Sequence, residues 1–341
     1  MKAVLINLLR VLPVVMGGRL LPGTGQRGKR SMTRTVHSHP GVGCVFLLAL
    51  LVVNPAHAGP NCKDLTGETG LFPYETISSG GLERSYSLYV HSRYKNSRPT
   101  PVVFDFHGLG SNAEGEYWYT QMSVLAEKFK FILVTPQGFG NSWNGGGCCN
   151  PAAAYDIADV AFVSELIDEV TKDYCINPDR VFATGISNGG FISNRLACEL
   201  SDRIAAIAPV ASANYTFSCA PSRPVPIIAF NGTEDVLVPY AAGVATIEDW
   251  AYRNACSAET ETYYQEGDVT CIEYQGCSEG ADVVYCTIDG GGHNWPGAVD
   301  IFELDPVTFW WAGYTTQDID ASRAIWKFFA DHSMEGEGDD D

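Results

Sequence analysis

Residues 180–190 read RVFATGISNGG, an apolar run followed by a serine between glycines. The run Arg180 to Thr184 predicts a buried strand, and the apolar spacing of Asn188 to Leu200 predicts a helix. Between them, residues 185–189 match G-x-S-x-G, the pattern of a serine on a sharp turn from strand to helix. Small residues on both sides let the backbone bend and let a substrate approach. The stretch therefore predicts a nucleophilic serine, Ser187, at the end of a strand.

Further apolar runs predict buried strands, and helical patterns separate them. The runs are Pro101 to Phe106, Phe131 to Thr135, Ile204 to Val210 and Val225 to Phe230, and the helical patterns are Ile157 to Tyr174 and Asp318 to His332. This alternation favours an α/β fold with a mostly parallel central sheet and helices on both faces. Arg84 to Val90 alternates polar with apolar residues and predicts an antiparallel edge strand. Because the composition shows neither a repeat nor a linker, we expect residues 59–334 to form a single domain.

The first 58 residues differ in charge from the rest of the chain. The whole chain has 22 Lys and Arg against 40 Asp and Glu, a net charge of −18. Residues 1–60 hold seven of the basic residues and no acidic one, so the remainder carries −25. A body this acidic repels phosphate backbones and anionic lipid surfaces. We therefore expect neither nucleic acid nor a membrane surface as a partner.

The leader has the pattern of a secretory signal peptide. Residues 44–53 (CVFLLALLVV) form a ten-residue apolar run, and Ala-His-Ala at 56–58 follows as a cleavage site. A membrane span needs about 20 apolar residues, so no stable membrane anchor is expected. We expect a secreted protein, or a periplasmic one in a source with an outer membrane. Met32 is the expected translation start, and residues 335–341 (EGEGDDD) are expected to form a disordered acidic tail.

Ten cysteines follow the leader, an even number that fits a disulfide-bonded exported protein. None has C-x-x-C spacing, so we expect no structural zinc. Spacing alone does not assign the pairs. Residues 270–274 and 282–286 have a hairpin pattern, however, that places Cys271 opposite Cys286.

The adjacent Cys148 and Cys149 have two interpretations. They could form a redox pair with each other. We expect instead that they bond to two different partners, such as Cys62 and Cys175.

A serine hydroxyl needs a base, and four histidines follow the leader. His91 lies in the predicted edge strand, and His332 lies in the last helical turn before the acidic tail. His107 precedes Gly-Leu-Gly at the end of a strand, the position of an oxyanion loop. His293 follows three glycines in a late loop after a strand, where this fold presents its base. We therefore predict His293 as the general base.

The acid that orients the base should lie between Ser187 and His293 at the end of a strand. Residues 231–235 (NGTED) meet both conditions, and both Glu234 and Asp235 qualify by position. We favour Asp235, because the shorter side chain is the commoner partner and an apolar stretch that can pack against the chain follows it.

Ser187, Asp235 and His293 thus give the chain order Ser, Asp, His of an α/β-hydrolase. The oxyanion hole is predicted to consist of the backbone N–H groups of Asn188 and Leu109. Such a triad acts through an acyl-enzyme, so neither a metal nor an organic cofactor is expected.

Together these motifs resemble secreted esterases of the poly(3-hydroxybutyrate) depolymerase type, which merge with the feruloyl and acetylxylan esterases of the first carbohydrate-esterase family. The matching stretches are residues 107–110, 143–144, 148–149, 183–190, 195–199, 231–240, 290–297 and 318–322, which span nearly the whole mature chain. The resemblance implies the α/β-hydrolase fold, serine-esterase activity and the triad above. It also implies the disulfides Cys198–Cys219 and Cys256–Cys277. Asn231 departs from the family pattern, which commonly has histidine there, but it lies outside the triad.

Candidate substrate-binding residues are aromatic: Trp143, Trp295, Trp310 and Trp311. The last three lie in the segment from His293 to Thr316, which would offer flat apolar faces to a sugar, a phenolic ring or a polyester if it overhangs the site. The alternative is that some of these side chains pack the segment onto the sheet.

The preferred substrates are feruloyl or acetyl esters of plant polysaccharide, and the alternative is a polyhydroxyalkanoate polyester. Dedicated polyester depolymerases usually carry a separate binding module, and no linker to one is visible here. A serine peptidase and a non-catalytic binding protein on the same scaffold are the more distant alternatives.

Overall fold

The structure is a computed structural model that describes residues 62–304, 307 and 309–334. The predicted signal peptide, the start at Met32 and the acidic tail lie outside the described residues. The strands are β1 (Gly70–Ser79), β2 (Leu82–Val90), β3 (Thr100–Phe106), β4 (Ile132–Pro136), β5 (Ile176–Ile186), β6 (Ala206–Val210), β7 (Ile227–Gly232), β8 (Thr260–Glu266), β9 (Val269–Tyr274) and β10 (Val283–Ile288). The helices are α1 (Ala113–Thr120), α2 (Met122–Phe129), α3 (Asp159–Asp173), α4 (Asn188–Glu199), α5 (Tyr240–Arg253), α6 (Ile301–Leu304) and α7 (Ala321–Ala330).

All ten strands form one sheet, in the order β1-β2-β4-β3-β5-β6-β7-β10-β9-β8. Six neighbouring strands in the centre are parallel: β4, β3, β5, β6, β7 and β10. The strands on either side of this group, β1 and β2 at one end and β9 and β8 at the other, pair antiparallel. The predicted α/β fold with a mostly parallel sheet is therefore confirmed. Because the carboxyl ends of parallel strands lie at one edge of a sheet, the loops after β5, β7 and β10 open on the same side.

Two apolar layers bury the two faces of the sheet. Successive residues of a strand point to opposite faces. On β3, Val102 and Phe104 pack in the layer under α3, α4 and α5, whereas Val103 packs in the layer under α1, α2 and α7. The strands are buried on both faces, which explains why their sequences are continuous apolar runs.

The predicted position of one strand is wrong. β2 lies between β1 and β4 and is not at the edge of the sheet; β1 occupies the edge. The polar residues that suggested an edge have partners inside the protein: Arg84 is buried, and its guanidinium donates to Asp159 at 2.8 Å. The Ser87 hydroxyl donates to the carbonyl oxygen of Pro73 at 2.9 Å.

The described residues contain five disulfides. Three are the pairs named above: Cys198–Cys219, Cys256–Cys277 and Cys271–Cys286. The last joins directly opposed residues of the β9–β10 ladder, as the hairpin pattern indicated.

The other two disulfides correct the expectation for the adjacent cysteines. Cys148 bonds to Cys149, and Cys62 bonds to Cys175. The expectation that Cys148 and Cys149 bond to different partners is therefore wrong. Tyr94 lies next to the Cys62–Cys175 bridge, and its hydroxyl oxygen accepts the backbone N–H of Cys175 at 2.6 Å, so the N-terminal segment is fixed beside β5.

Among residues 62–304, 307 and 309–334, no helix is both long and apolar enough to span a membrane.

Candidate active site

Ser187 stands on a sharp turn between β5 and α4. Its backbone has φ 55° and ψ −119°, a conformation that residues other than glycine rarely adopt. The turn is possible because Gly185 and Gly189 have no side chain: a Cβ on either would clash with the carbonyl oxygen of Phe106. Ser187 remains partly exposed, so its hydroxyl is open to a substrate. The structure thus gives Ser187 the geometry of a nucleophile elbow.

Asp235 and His293 meet at the same edge of the sheet. Asp235 follows β7 and His293 follows β10, and Oδ2 of Asp235 lies 2.7 Å from Nδ1 of His293. The other carboxylate oxygen, Oδ1, accepts the backbone N–H groups of Leu237 and Val238, both at 2.8 Å. Three hydrogen bonds therefore hold the carboxylate, which fixes the imidazole with Nε2 as its free nitrogen.

The neighbouring carboxyl, Glu234, is exposed and does not take this role. Its backbone N–H donates to the carbonyl oxygen of Gly291 at 2.9 Å, and Thr233 donates likewise to Ile288. A Cβ on Gly232 would clash with Gly291. The loops that carry Asp235 and His293 are thus bonded directly to each other, and this close approach requires glycine.

His107 orients the predicted oxyanion loop. Its Nε2 accepts the backbone N–H of Gly138 at 3.0 Å, and its Nδ1 lies 2.8 Å from the carbonyl oxygen of Gly108. Burial lowers the pKa of His107 to about 4, so the neutral ring carries its proton on Nδ1 and donates it to Gly108.

This bond determines where the Leu109 amide points. The carbonyl and the N–H of a trans peptide point in opposite directions, so the ring that holds the Gly108 carbonyl turns the Leu109 N–H away from itself. A Cβ on Gly108 would lie 3.6 Å from Cβ of Ser187, so the loop lies against the nucleophile. Asn188 is the first residue of α4, and its amide has no acceptor within the helix. The assignment of both amides to the oxyanion hole remains a prediction.

Trp143 is not a substrate-binding residue, which corrects the prediction. Its side chain is fully buried, and its indole N–H donates to the carbonyl oxygen of His107 at 3.1 Å. Its backbone N–H and carbonyl bond to the two ends of the Asn188 side-chain amide, at 2.7 and 2.9 Å. Trp143 therefore links His107 to Asn188, the two residues that position the candidate oxyanion donors.

Two buried carboxyl groups lie behind the nucleophile. Asp105 on β3 pairs with Thr184 of β5, and its Oδ2 accepts the hydroxyl of Thr120 at 2.6 Å. Glu116 on α1 interacts through a hydrogen bond with the backbone of Ile186, the residue before Ser187. Burial raises the pKa of Asp105 to about 7, and burial together with the charge of Asp105 raises that of Glu116. Sequence reasoning missed this pair, because only the fold buries it.

Of the remaining predicted aromatic residues, Trp295 is buried and Trp310 and Trp311 are accessible. Trp295 is 1% exposed and donates its indole N–H to Ser322 at 2.9 Å, so it packs its segment onto α7 and does not contact substrate. Trp310 is 66% exposed. The ring of Trp311 meets the ring of His293 edge to face, with centroids 6.0 Å apart. These two remain candidate substrate contacts.

A cleft of about 840 Å³ is lined in part by the segment that follows His293 in the chain, from Trp295 onward. It lies between α1 and the segment 295–320, and its exposed aromatic side chains are Trp118 and Tyr314. Sequence reasoning missed Trp118. The signal was present in Tyr117-Trp118-Tyr119, three consecutive aromatic residues that α1 divides between the core and the cleft.

The Cys148–Cys149 disulfide also lies close to the site. Cys149 packs with Phe191 of α4 and with Val238, whose backbone N–H binds Asp235. The loop that ends at this disulfide therefore contacts both the nucleophile helix and the acid loop. In the described part of the chain, no cluster of three or more His, Cys, Asp or Glu side chains could hold a metal ion.

The fold and the site together define an α/β-hydrolase. No protein-family model matches the chain. Feruloyl esterase D of Neurospora crassa is 29% identical over 308 residues, which cover 84% of this chain and 96% of that protein. Feruloyl esterase B of Piromyces equi is 31% identical over 226 residues, 59% of this chain. The matched region spans only 41% of the length of that relative.

A solved structure of acetyl xylan esterase from Aspergillus awamori superposes with a TM-score of 0.54 at 14% identity, over 71% of this chain and all of that one. This likeness shows the fold. The curated relatives confirm the resemblance to the feruloyl and acetylxylan esterases that the motifs indicated.

Proposed function

We propose that this protein is a secreted serine esterase that hydrolyses acyl esters of plant polysaccharide, with feruloyl or acetyl groups as the acyl part. The observation that carries the proposal is the 2.7 Å contact of Asp235 with His293, together with a serine held on a nucleophile elbow at the same edge of the sheet. The relatives named feruloyl esterase and the likeness to an acetyl xylan esterase support the ester as the substrate class.

In the proposed mechanism, Nε2 of His293 removes the proton of the Ser187 hydroxyl as the oxygen attacks the ester carbonyl carbon. The carbonyl becomes a tetrahedral oxyanion, which the N–H groups of Leu109 and Asn188 stabilise at the positive end of α4. Asp235 stabilises the imidazolium that forms. The imidazolium then returns its proton to the leaving alkoxide, which departs as the sugar alcohol and leaves an acyl group on Ser187.

Water completes the cycle on the acyl-enzyme. His293 removes a proton from water as its oxygen attacks the acyl carbon, and the Ser187 oxygen leaves with that proton. The products are the free acid and the original enzyme. Trp311 is partly exposed and contacts the His293 ring, so it would lie against one side of the acyl group.

Secretion is part of the proposal. The predicted signal peptide and the five disulfides support it, because disulfides persist in oxidising compartments.

The experiment is a parallel release assay on the mature protein. It measures ferulate from methyl ferulate, acetate from acetylated xylan and 3-hydroxybutyrate from amorphous polyhydroxybutyrate. We expect ferulate or acetate release to dominate and Ser187→Ala to abolish it while the thermal unfolding midpoint is retained. Dominant 3-hydroxybutyrate release would favour the polyester alternative. Activity retained in a folded Ser187→Ala variant would overturn the mechanism.

A further inference from the structure

A second groove, of about 860 Å³, lies at the opposite end of the sheet from Ser187. It is formed by the segment after β2 and by the amino ends of β3 and β4, whereas the candidate active site lies at the carboxyl ends of the parallel strands. Its exposed cationic side chains are Arg93, Lys95, Arg98, Lys128 and Lys130. We call this surface the basic groove.

The cations of the basic groove differ in pairing from five of the other ten basic side chains that follow residue 60. Five other basic side chains each lie within 4.0 Å of a carboxylate: Arg84, Lys172, Arg195, Arg203 and Arg253. Within the described ranges, none of the five exposed cations of the basic groove has such a partner. Their charges are therefore available to an external anion.

One acidic side chain beside the basic groove, Glu127, is held by hydrogen bonds. Glu127 of α2 accepts the backbone N–H of Ser92 at 2.8 Å, the Ser92 hydroxyl, and the hydroxyl of Tyr89 at 3.0 Å. These hydrogen bonds lower the pKa of Glu127, so it stays ionised. It orders the segment after β2 and leaves the guanidinium of Arg93 to donate to the Glu127 backbone carbonyl, at 3.3 Å.

The position of these charges is unusual for the composition. Only 15 Lys and Arg follow residue 60, against 40 Asp and Glu. Five of the 15 lie exposed around one groove. In an otherwise acidic chain, these five exposed cations form a local positive surface that attracts anions.

The basic groove also contains flat apolar surface. Phe129 is 36% exposed and stacks on Trp326 with ring centroids 6.0 Å apart. Tyr94 is partly exposed at the other wall. Aromatic faces bind the apolar faces of sugar rings, and interspersed cations bind carboxylates. The combination fits a ligand whose repeating unit is an anionic sugar.

We propose that the basic groove binds an acidic polysaccharide, a chain of uronate sugars whose carboxylates pair with Arg93, Lys95, Arg98, Lys128 and Lys130. The proposal goes beyond the ester-hydrolysing site and does not depend on it. If both sites act, the basic groove anchors the protein on an acidic polymer while esters are cleaved at the other end of the sheet.

The test measures binding to immobilised polygalacturonate without ester groups, with neutral xylan as the reference surface. The mature protein should bind polygalacturonate and not xylan. Its binding to polygalacturonate should be about tenfold weaker at 200 mM salt than at 50 mM salt. The groove variant carries Lys95→Gln, Arg98→Gln, Lys128→Gln and Lys130→Gln. The matched control variant carries Lys63→Gln, Lys172→Gln, Arg323→Gln and Lys327→Gln, four exposed cations elsewhere.

Both variants lose four positive charges, so net charge alone would affect them equally. We expect the groove variant to bind at least about tenfold more weakly and the control variant to change less than about twofold. Equal losses, no binding by the native protein, or equal binding to xylan would overturn the proposal. Tighter binding to single-stranded nucleic acid or to anionic vesicles would also overturn it. Binding that appears only after removal of residues 335–341 would instead assign the groove to the chain's own acidic tail.

Methyl ferulate hydrolysis separates this proposal from the proposed function. The groove variant should hydrolyse methyl ferulate at the native rate. If the native protein does not hydrolyse this ester, the proposed function fails, and the polygalacturonate experiment still decides the basic groove.

Discussion

The two ends of the central sheet handle charge in opposite ways. At the carboxyl end, Asp235, His293 and His107 are buried, and the carboxylate of Asp235, Nδ1 of His293 and both ring nitrogens of His107 have partners at fixed distances. At the amino end, the five cations of the basic groove are exposed and have no carboxylate within 4.0 Å among the residues that the structure describes. Buried, hydrogen-bonded groups give chemistry that depends on geometry and little on salt, whereas exposed charges give binding that salt screens. The comparison predicts that the two ends respond to different changes.

Breaking the hydrogen bonds of the carboxyl end should have the largest effect. Asp235→Asn can no longer hold His293 in the required tautomer, so we expect kcat to fall by about 10³- to 10⁴-fold. Glu234→Gln is the matched control, because Glu234 is adjacent but exposed, and it should change kcat less than about twofold. Steady-state hydrolysis of methyl ferulate measures both. A large loss in Glu234→Gln with little loss in Asp235→Asn would reverse the assignment.

His107 tests whether the oxyanion loop belongs to the same rigid network. In His107→Gln the bond to the Gly108 carbonyl is lost, so the Leu109 N–H is no longer oriented. We expect kcat to fall about 10²-fold with KM nearly unchanged, the signature of a group that acts on the transition state. Leu109→Ala should keep activity, since the backbone supplies the donor. A change confined to KM would contradict this role.

Asp105 tests how the buried carboxyl pair at the same end of the sheet affects the pH dependence of the free energy of unfolding. Its pKa of about 7 lies above the unfolded value, so the folded state binds more protons between about pH 4 and 7. Stability is therefore lost as the pH rises through this window, by at most about 1.4 kcal/mol per unit for this group. Asp105→Asn should flatten that slope in urea unfolding, whereas the exposed Asp202→Asn should not. Identical slopes in wild type and Asp105→Asn would contradict the account.

The smallest effect is expected at the exposed aromatic surface beside the site. Trp310→Ala should raise KM for acetylated xylan about two- to tenfold and leave kcat unchanged. Tyr252→Ala is the control, because Tyr252 is an exposed aromatic residue near the C-terminal end of α5. If Trp310→Ala leaves KM for the polymer unchanged, Trp310 does not contact substrate.

The parts of the site that sequence could predict are those encoded locally. Ser187 lies in a five-residue motif between a strand and a helix, and Asp235 and His293 each follow a buried strand. The strand order then brings Asp235 and His293 into contact and places Ser187 at the same edge of the sheet, and the catalytic roles of the three residues remain predictions. The choice between Glu234 and Asp235 needed only side-chain length, and the structure buries the shorter one.

The parts that failed depend on what covers a side chain. Trp143 and Trp295 have the same residue type as Trp310, yet the first two are buried and donate to His107 and Ser322. Neither sequence spacing nor composition distinguishes them. Spacing also failed to assign the Cys148–Cys149 bond. The expected partners of these two cysteines, Cys62 and Cys175, are 113 residues apart in the chain and bond to each other.

The predictions of strands and helices succeeded or failed for the same reason, the burial of their side chains. The buried parallel strands were predicted, because continuous apolar runs mark them. β1 was missed because most of its residues are exposed, and without β1 the strand β2 was placed at the edge. α1 was missed because it is only eight residues long and its three aromatic residues face different surroundings.

The central claim is that Ser187 is the activated nucleophile of this protein. The most direct test is labelling with diisopropyl fluorophosphate, in which the serine oxygen displaces fluoride from phosphorus, followed by peptide mass spectrometry. We predict one diisopropylphosphoryl group per chain, on Ser187, with slower labelling in Asp235→Asn and none in Ser187→Ala. Label on another residue, or unchanged labelling in folded Ser187→Ala, would contradict the account.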